Sequence, residues 1–155
     1  MRRIFALTTR GLEAIAAAEM ADLPGVVVEQ IDYRRVSATA TRSLLPLLTL
    51  RTVDDVFLAA ATWPDVDHRR CMLDQFTALC AQLELDGAVA ACREVRAVPR
   101  SPTFSVTASF VGKRNYTTRE IKQTCAQGIA ACQGWAYTRD DAQADLNLRV
   151  FIVHQ

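Results

Sequence analysis

The sequence predicts an α+β protein, and two observations lead to this prediction. Residues 3–62 contain runs with the periodicity of a strand, a helix, two strands, a second helix and a fourth strand. After residue 102, a strictly alternating strand precedes a helix and an aliphatic strand. The chain has 155 residues, of which 50% are hydrophobic, so it can bury a core without disulfides or metal ions.

The first region opens with the strand-like run RIFALTT, after which the period changes to that of a helix ending at Pro24-Gly25. Its predicted inward positions are Leu12, Ile15, Ala16, Glu19, Met20 and Leu23. Two strand-like runs, VVVEQI and RRVSATA, then flank a tight turn. A short helix with Pro46 in its first turn and the strand TVDDVFLAAAT complete the order β-α-β-β-α-β. We therefore predict a ferredoxin-like domain over residues 1–63.

A turn-rich linker, WPDVDH, separates this region from a second predicted domain over residues 67–155. Two amphipathic helices come first. The run TFSVTASF then alternates as a strand with one apolar face. The following helix begins near Thr117 and ends at Gly134, and the run DLNLRVFIV forms the last strand. The second domain is thus expected to be an α/β domain with the element order α-α-β-α-β.

The junction between this strand and helix, FVGKRNYTTREIK, is the most informative stretch. Thr117 and Glu120 have the spacing of a capping box, while Tyr116 and Ile121 have that of a hydrophobic staple. Although the net charge is only +1, residues 93–122 carry a local +5. The cations of this run are Arg93, Arg96, Arg100, Lys113, Arg114, Arg119 and Lys122.

These cations have two interpretations. They form either a solvated rim or a surface that binds a phosphate backbone. Free N–H groups at a helix N-terminus attract anions, which favours the second interpretation. Lys113 and Arg114 precede that N-terminus, whereas Arg119 and Lys122 lie in the first turns. Tyr116 adds a ring that stacks on a base if it is not used as the staple.

Most catalytic arrangements are absent from the sequence. It has no glycine-rich nucleotide motif, P-loop or nucleophile elbow. His68 lies in the linker and His154 near the terminus, and neither has a visible partner. The five cysteines form no Cys-x-x-Cys pair and occur in predicted helices, so we expect buried thiols in a reducing cytoplasm. No apolar stretch reaches the length that spans a bilayer.

Two blocks of the sequence resemble a known family. FALTTRGLEAIAAAEMADLPG resembles the opening of the N-terminal ferredoxin-like domain in RNA methyltransferases that carry a THUMP domain. FSVTASFVGKRNYTTREIKQTCAQGIAACQGW, followed by ADLNLRVFIV, resembles the core of the THUMP domain itself. The resemblance covers most of the chain but is weak over residues 62–102.

This resemblance implies binding to the acceptor end of tRNA and presentation of a nucleotide to a separate methyltransferase domain that uses S-adenosylmethionine. By position it implies RNA contacts at Lys113, Arg114, Thr118, Arg119 and Lys122, with Arg100 as an outlying contact. The stacking argument above adds Tyr116 to this predicted RNA-binding set. The sequence lacks the family's S-adenosylmethionine glycine motif and its catalytic motif. We therefore expect that the chain is no enzyme by itself, holds no cofactor, and is followed by a catalytic domain in a longer protein.

The THUMP domain of the family also has one further strand. We expect the second domain to lack this strand, which predicts an open sheet edge and self-association there. Two alternatives come from other classes. One is a ferredoxin-like module that binds a small regulatory ligand, and the other is a small enzyme with Cys125 or Cys132 as its nucleophile.

Overall fold

The structure, a computed structural model, describes residues 1–153. Its strands are β1 (Arg2–Leu7), β2 (Val26–Asp32), β3 (Arg35–Ala40), β4 (Asp55–Leu58), β5 (Thr103–Phe110), β6 (Ala136–Tyr137) and β7 (Leu146–Ile152). Its α-helices are α1 (Glu13–Ala21), α2 (Met72–Cys80), α3 (Asp86–Val95) and α4 (Thr118–Gln133), and a 3-10 helix spans Leu45–Thr49. The α+β class predicted from the sequence is confirmed.

The chain divides into two compact units. The first contains Met1–Ala61 together with Leu85–Ala97, and the second contains Thr62–Glu84 and the chain from Val98 onward. The change of unit at residue 62 lies next to the boundary expected at residue 63. The segment that contains α3 differs from the expectation, because it groups with the first unit although its position in the sequence suggested the second.

The first unit contains a four-stranded sheet in the order β2-β3-β1-β4. All neighbouring strands are antiparallel. This order places β1 between β3 and β4, as the predicted β-α-β-β-α-β arrangement requires. The second helix of that arrangement is replaced by a single 3-10 segment of five residues, Leu45–Thr49, with Pro46 in its first turn. The last strand is also shorter and consists of the four residues of β4.

Helix α1 packs through a face rotated by about one residue from the predicted one. Ala16, Ala17 and Met20 are buried, whereas Ile15 is 54% exposed. The start of the helix is fixed by the Glu13 carboxylate, which accepts hydrogen bonds from the N–H groups of Gly11 at 2.7 Å and Arg34 at 3.0 Å. Small alanine side chains therefore pack against the sheet, and two larger residues of the predicted face, Leu12 and Ile15, remain at the surface.

The second unit contains a three-stranded parallel sheet in the order β6-β5-β7. Phe104, Val106 and Ala108 of β5 are buried, as predicted for its apolar face, and Ser105 of the opposite face is buried as well. Strand β7 pairs with β5 from Leu146 to Ile152 and lies at the edge of this sheet within the described residues. Self-association at that edge stays a prediction.

Helices α2 and α4 approach each other closely at Gly128. A Cβ atom added there would lie 2.3 Å from the carbonyl oxygen of Thr77 and 2.8 Å from the Cβ of Cys80. Only glycine fits such a separation without moving the backbone of α2. In the described part of the chain, no helix is both long enough and apolar enough to span a bilayer.

Candidate nucleic-acid interface

The junction between β5 and α4 folds locally as its sequence predicts. Gly112 takes a positive φ of 87° after the strand. Thr117 is the N-cap of α4, and its side chain accepts a hydrogen bond from the N–H of Glu120, whose side chain accepts in return from the Thr117 N–H. The capping box is thus confirmed. Tyr116 and Ile121 are both buried, in agreement with the predicted staple.

The carboxylate of Glu120 itself lies at the N-terminus of α4. It accepts hydrogen bonds from the Thr117 N–H at 2.8 Å, the Thr117 hydroxyl at 3.0 Å and the Arg70 guanidinium at 2.6 Å. These donors, the Thr117 N–H first and Arg70 next, lower the pKa of Glu120 below its ordinary value. The Glu120 carboxylate therefore occupies part of the helix N-terminus that was predicted to bind phosphate.

Acid is expected to weaken this junction. A folded-state pKa below the unfolded value means that the stabilisation is present above the unfolded pKa and is lost as the pH falls through the folded one. Glu120→Gln keeps a capping-box side chain but has no titratable group, so its stability should depend less on pH between about 5 and 3 than the wild type. Urea unfolding across this range measures the difference. The control is Glu84→Gln, which removes an exposed carboxylate. Equal pH dependence of Glu120→Gln and wild type would contradict the stabilising role of the ionised Glu120 carboxylate.

Tyr116 is a structural residue, which corrects its expected role in base stacking. It is 3% exposed, and its ring lies edge-on to Phe76 and Phe110, with centroids 5.9 and 6.4 Å away. Its hydroxyl donates a hydrogen bond of 2.6 Å to the carbonyl of Asp67. A ring buried this deeply exposes no face on which a nucleotide base can stack.

Arg114 also has structural contacts. Its Nη1 donates to the carbonyl oxygens of Val66 at 2.9 Å and Asp67 at 3.4 Å, and it lies 3.3 Å from the Tyr116 hydroxyl. Nearby, the N–H of Asn115 donates to the carbonyl of His68 at 2.9 Å. The segment around residues 66–70, interpreted from the sequence as a linker, is therefore bound to the junction. This pairing is visible only in the tertiary structure, because about 48 residues separate the partners.

The remaining residues of the predicted RNA-binding set do not all lie at the junction between β5 and α4. Lys113, Thr118 and Arg119 are exposed at the start of α4. Arg100 is also exposed but precedes β5, and the eight residues of that strand span about 26 Å, so it lies at the opposite end from the junction. Arg93 lies in α3 and Arg96 directly after it, and both belong to the first unit. The run of seven cations therefore does not form one surface within one unit.

Lys122 is half-buried, and its charge acts on a neighbouring carboxylate. Asp141 accepts a hydrogen bond of 3.1 Å from the Thr107 hydroxyl. A hydrogen bond from Ser105 contributes most to lowering the pKa of Asp141, and Lys122 and Arg149 add a smaller effect. Lys122 thus offers less uncompensated charge than Lys113.

Two residues next to the junction were not predicted from the sequence, since nothing in the sequence links them to it. They are Arg69 and His68, with side chains 71% and 64% exposed.

The cysteines divide into buried and exposed groups, which corrects the expectation that all are buried. Cys80 and Cys125 are buried, whereas Cys71 and Cys132 are exposed. A hydrogen bond with Cys80, together with burial, raises the pKa of the Cys125 thiol, so this residue stays protonated and is a poor nucleophile. Within residues 1–153, no cluster of three or more His, Cys, Asp or Glu side chains is arranged to hold a metal. His154 lies outside the described residues.

These features define an α+β chain with a basic strand-to-helix junction. Its fold is shared with several solved structures. TrmN from Thermus thermophilus superposes with a TM-score of 0.71 at 19% identity, over 99% of this chain and 42% of that one. A predicted N6-adenine-specific DNA methylase from Listeria monocytogenes str. 4b F2365 gives 0.65 at 18% identity, over 84% and 31%. SMU.472, whose structure was solved in complex with SAH, gives 0.63 at 16% identity, over 83% and 31%.

The chain spans less than half the length of each of these three proteins. No protein-family model and no curated protein sequence matches it. At these identities the similarity establishes only the fold of the chain. The activities of the longer proteins are not thereby assigned to it.

Proposed function

We propose that this chain is the RNA-binding part of a cytoplasmic, S-adenosylmethionine-dependent RNA methyltransferase. In this proposal the first unit is the ferredoxin-like domain and the second is of the THUMP type. The chain binds tRNA, or another structured RNA, near its acceptor end and holds it for a separate methyltransferase domain. It carries out no chemistry and binds no cofactor itself. The SAH in the structure of SMU.472 and the methylase with the same fold support the class of the parent enzyme.

The observation that carries the proposal is the pair of exposed cations Lys113 and Arg119 on either side of the N-cap of α4. Both side chains extend from a junction whose backbone is held by the capping box, so binding must order the two side chains but not the backbone that carries them. Thr118 lies between them and supplies an exposed hydroxyl. Cations and hydroxyls at a helix start suit phosphate oxygens, which accept hydrogen bonds irrespective of base sequence.

The test replaces Lys113 and Arg119 together by alanine. Because both lie outside the hydrogen bonds that hold the junction, the double variant should fold normally. RNA binding should weaken broadly across sequences, and the slope of log K against log salt should flatten by about 0.7 per contact for single-stranded RNA and about 0.9 for a duplex. Fluorescence anisotropy with labelled tRNA at several salt concentrations measures both quantities.

A matched control is Arg10→Ala with Arg51→Ala, which removes the same charge from exposed positions of the first unit. It should change affinity less than the junction variant. An unchanged affinity and salt slope for the Lys113 and Arg119 variant would remove these residues from the interface. Thermal stabilisation by an amino acid or another small ligand, but not by tRNA, would instead favour a regulatory ligand-binding module.

A further inference from the structure

The second unit has an open surface depression next to the junction. It measures about 470 Å³ and is lined by Asp65, Val66, Asp67, His68, Val111, Gly112, Lys113 and Arg114. One wall is the segment before α2 that the sequence suggested to be a linker, and the other is the turn after β5. The lining thus combines two cations and an imidazole with two carboxylates, so it is suited to a polar ligand with more than one kind of group.

The two walls are held together before any ligand binds. Arg114 and the Tyr116 hydroxyl donate to the carbonyl oxygens of the facing wall, at Val66 and Asp67. The Asn115 N–H donates to the His68 carbonyl at 2.9 Å. A ligand therefore meets a preformed surface, which reduces the entropy lost when it binds.

Arg114 gives the depression an unpaired positive charge. The side chain is half-buried, and its acceptors are two carbonyl oxygens and a hydroxyl, none of which carries charge. Its Nε is buried and has no hydrogen-bond partner, and no carboxylate within residues 1–153 forms an ion pair with it. A partly desolvated charge without a counter-ion favours a bound anion.

The two carboxylates of the lining differ in their surroundings. Asp67 is compensated, since it accepts from the Arg69 N–H at 3.0 Å and lies 3.2 Å from Nδ1 of His68. Asp65 is exposed and forms no ion pair or side-chain hydrogen bond in the described part of the chain. A bare phosphate would be repelled by Asp65. A ribose phosphate offsets this repulsion, because its 2′-hydroxyl can donate a hydrogen bond to the Asp65 carboxylate.

We infer that the depression binds one ribose-phosphate unit of the RNA. The phosphate contacts Lys113 above the charge of Arg114, and the 2′-hydroxyl donates a hydrogen bond to Asp65. This inference rests on the proposed function and adds to it a means of selecting RNA over DNA. Discrimination then comes from the 2′-hydroxyl contact, while Lys113 and Arg119 attract either nucleic acid.

The experiment compares a single-stranded RNA with the DNA of the same sequence, for wild type, Asp65→Gly and Lys113→Gln. Glycine suits the positive φ of 59° at residue 65, so Asp65→Gly removes the carboxylate without strain. We expect Asp65→Gly to lower RNA affinity roughly tenfold, as for a hydrogen bond to a charged group, while DNA affinity stays equal or rises. Lys113→Gln should lower both affinities by a similar factor.

Asp54→Asn is the control, because it makes the same change of net charge at an exposed position of the first unit. It should leave the ratio of RNA to DNA affinity unchanged. If Asp65→Gly also leaves that ratio unchanged while the wild type binds RNA, the inference is wrong and the proposed function stands. If the wild type binds no RNA, both are wrong.

Discussion

Gly128→Ala is expected to destabilise the second unit by about 3 kcal/mol, the upper part of the usual range for overpacking. The added methyl group would lie 2.3 Å from the carbonyl oxygen of Thr77 and 3.0 Å from the backbone nitrogen of Ala81. These two atoms also form a hydrogen bond of 3.0 Å within the α2 region. Because the obstacle is backbone, no rotamer change relieves it, and the two helices must separate.

Urea unfolding followed by far-UV circular dichroism reports both units, and tryptophan fluorescence reports the second unit alone, since Trp63 and Trp135 both belong to it. The control is Gly87→Ala in α3, where an added Cβ meets no atom within 4 Å. That change should be neutral or stabilise by up to about 1 kcal/mol, because alanine favours a helix. An unfolding midpoint for Gly128→Ala equal to that of the wild type would contradict the close packing of α2 and α4.

The second large effect is expected at Tyr116. Tyr116→Ala should cost about 3–5 kcal/mol, because it removes a buried ring that contacts Phe76 and Phe110. Tyr116→Phe keeps these contacts and loses the hydroxyl, which donates to the Asp67 carbonyl and accepts from Arg114, so it should cost about 1–2 kcal/mol. The same urea titration separates the two variants.

A second readout tests whether Tyr116 fixes the segment before α2. Trypsin cleaves after arginine, and Arg69 and Arg70 lie in that segment. Tyr116→Ala should accelerate cleavage there under native conditions, whereas Tyr33→Ala, at a side chain that is 73% exposed, should not. Similar cleavage rates and stabilities for Tyr116→Ala and the wild type would show that the tyrosine does not hold this segment.

The local features of the candidate site could be predicted because they depend on neighbours in sequence. Thr117 and Glu120 are three residues apart, and a helix start requires hydrogen-bond acceptors at this spacing. The alternation of β5 likewise follows from the geometry of a strand, with Phe104 and Val106 buried on one face. Such short-range rules do not depend on what packs against the element.

Other predictions were wrong where packing between distant segments determines the outcome. Tyr116 was predicted to supply a ring for base stacking, but its ring packs against Phe76 and its hydroxyl donates to the Asp67 carbonyl. Ile15 was placed in the core by helical period, but the sheet accepts the small side chains one position further around α1. Cys132 was expected to be a buried thiol and is exposed.

By itself, the sequence determined the α+β class, the element order β-α-β-β-α-β of the first region and the capped start of α4, because periodicity and capping act over a few residues. Only the tertiary structure decided which cations remain available. It binds Arg114 to the segment around residue 67, positions Arg70 against Glu120, and leaves Lys113 and Arg119 exposed. The physical reason is that a side chain's free charge depends on the partners the fold supplies, and those partners are distant in sequence.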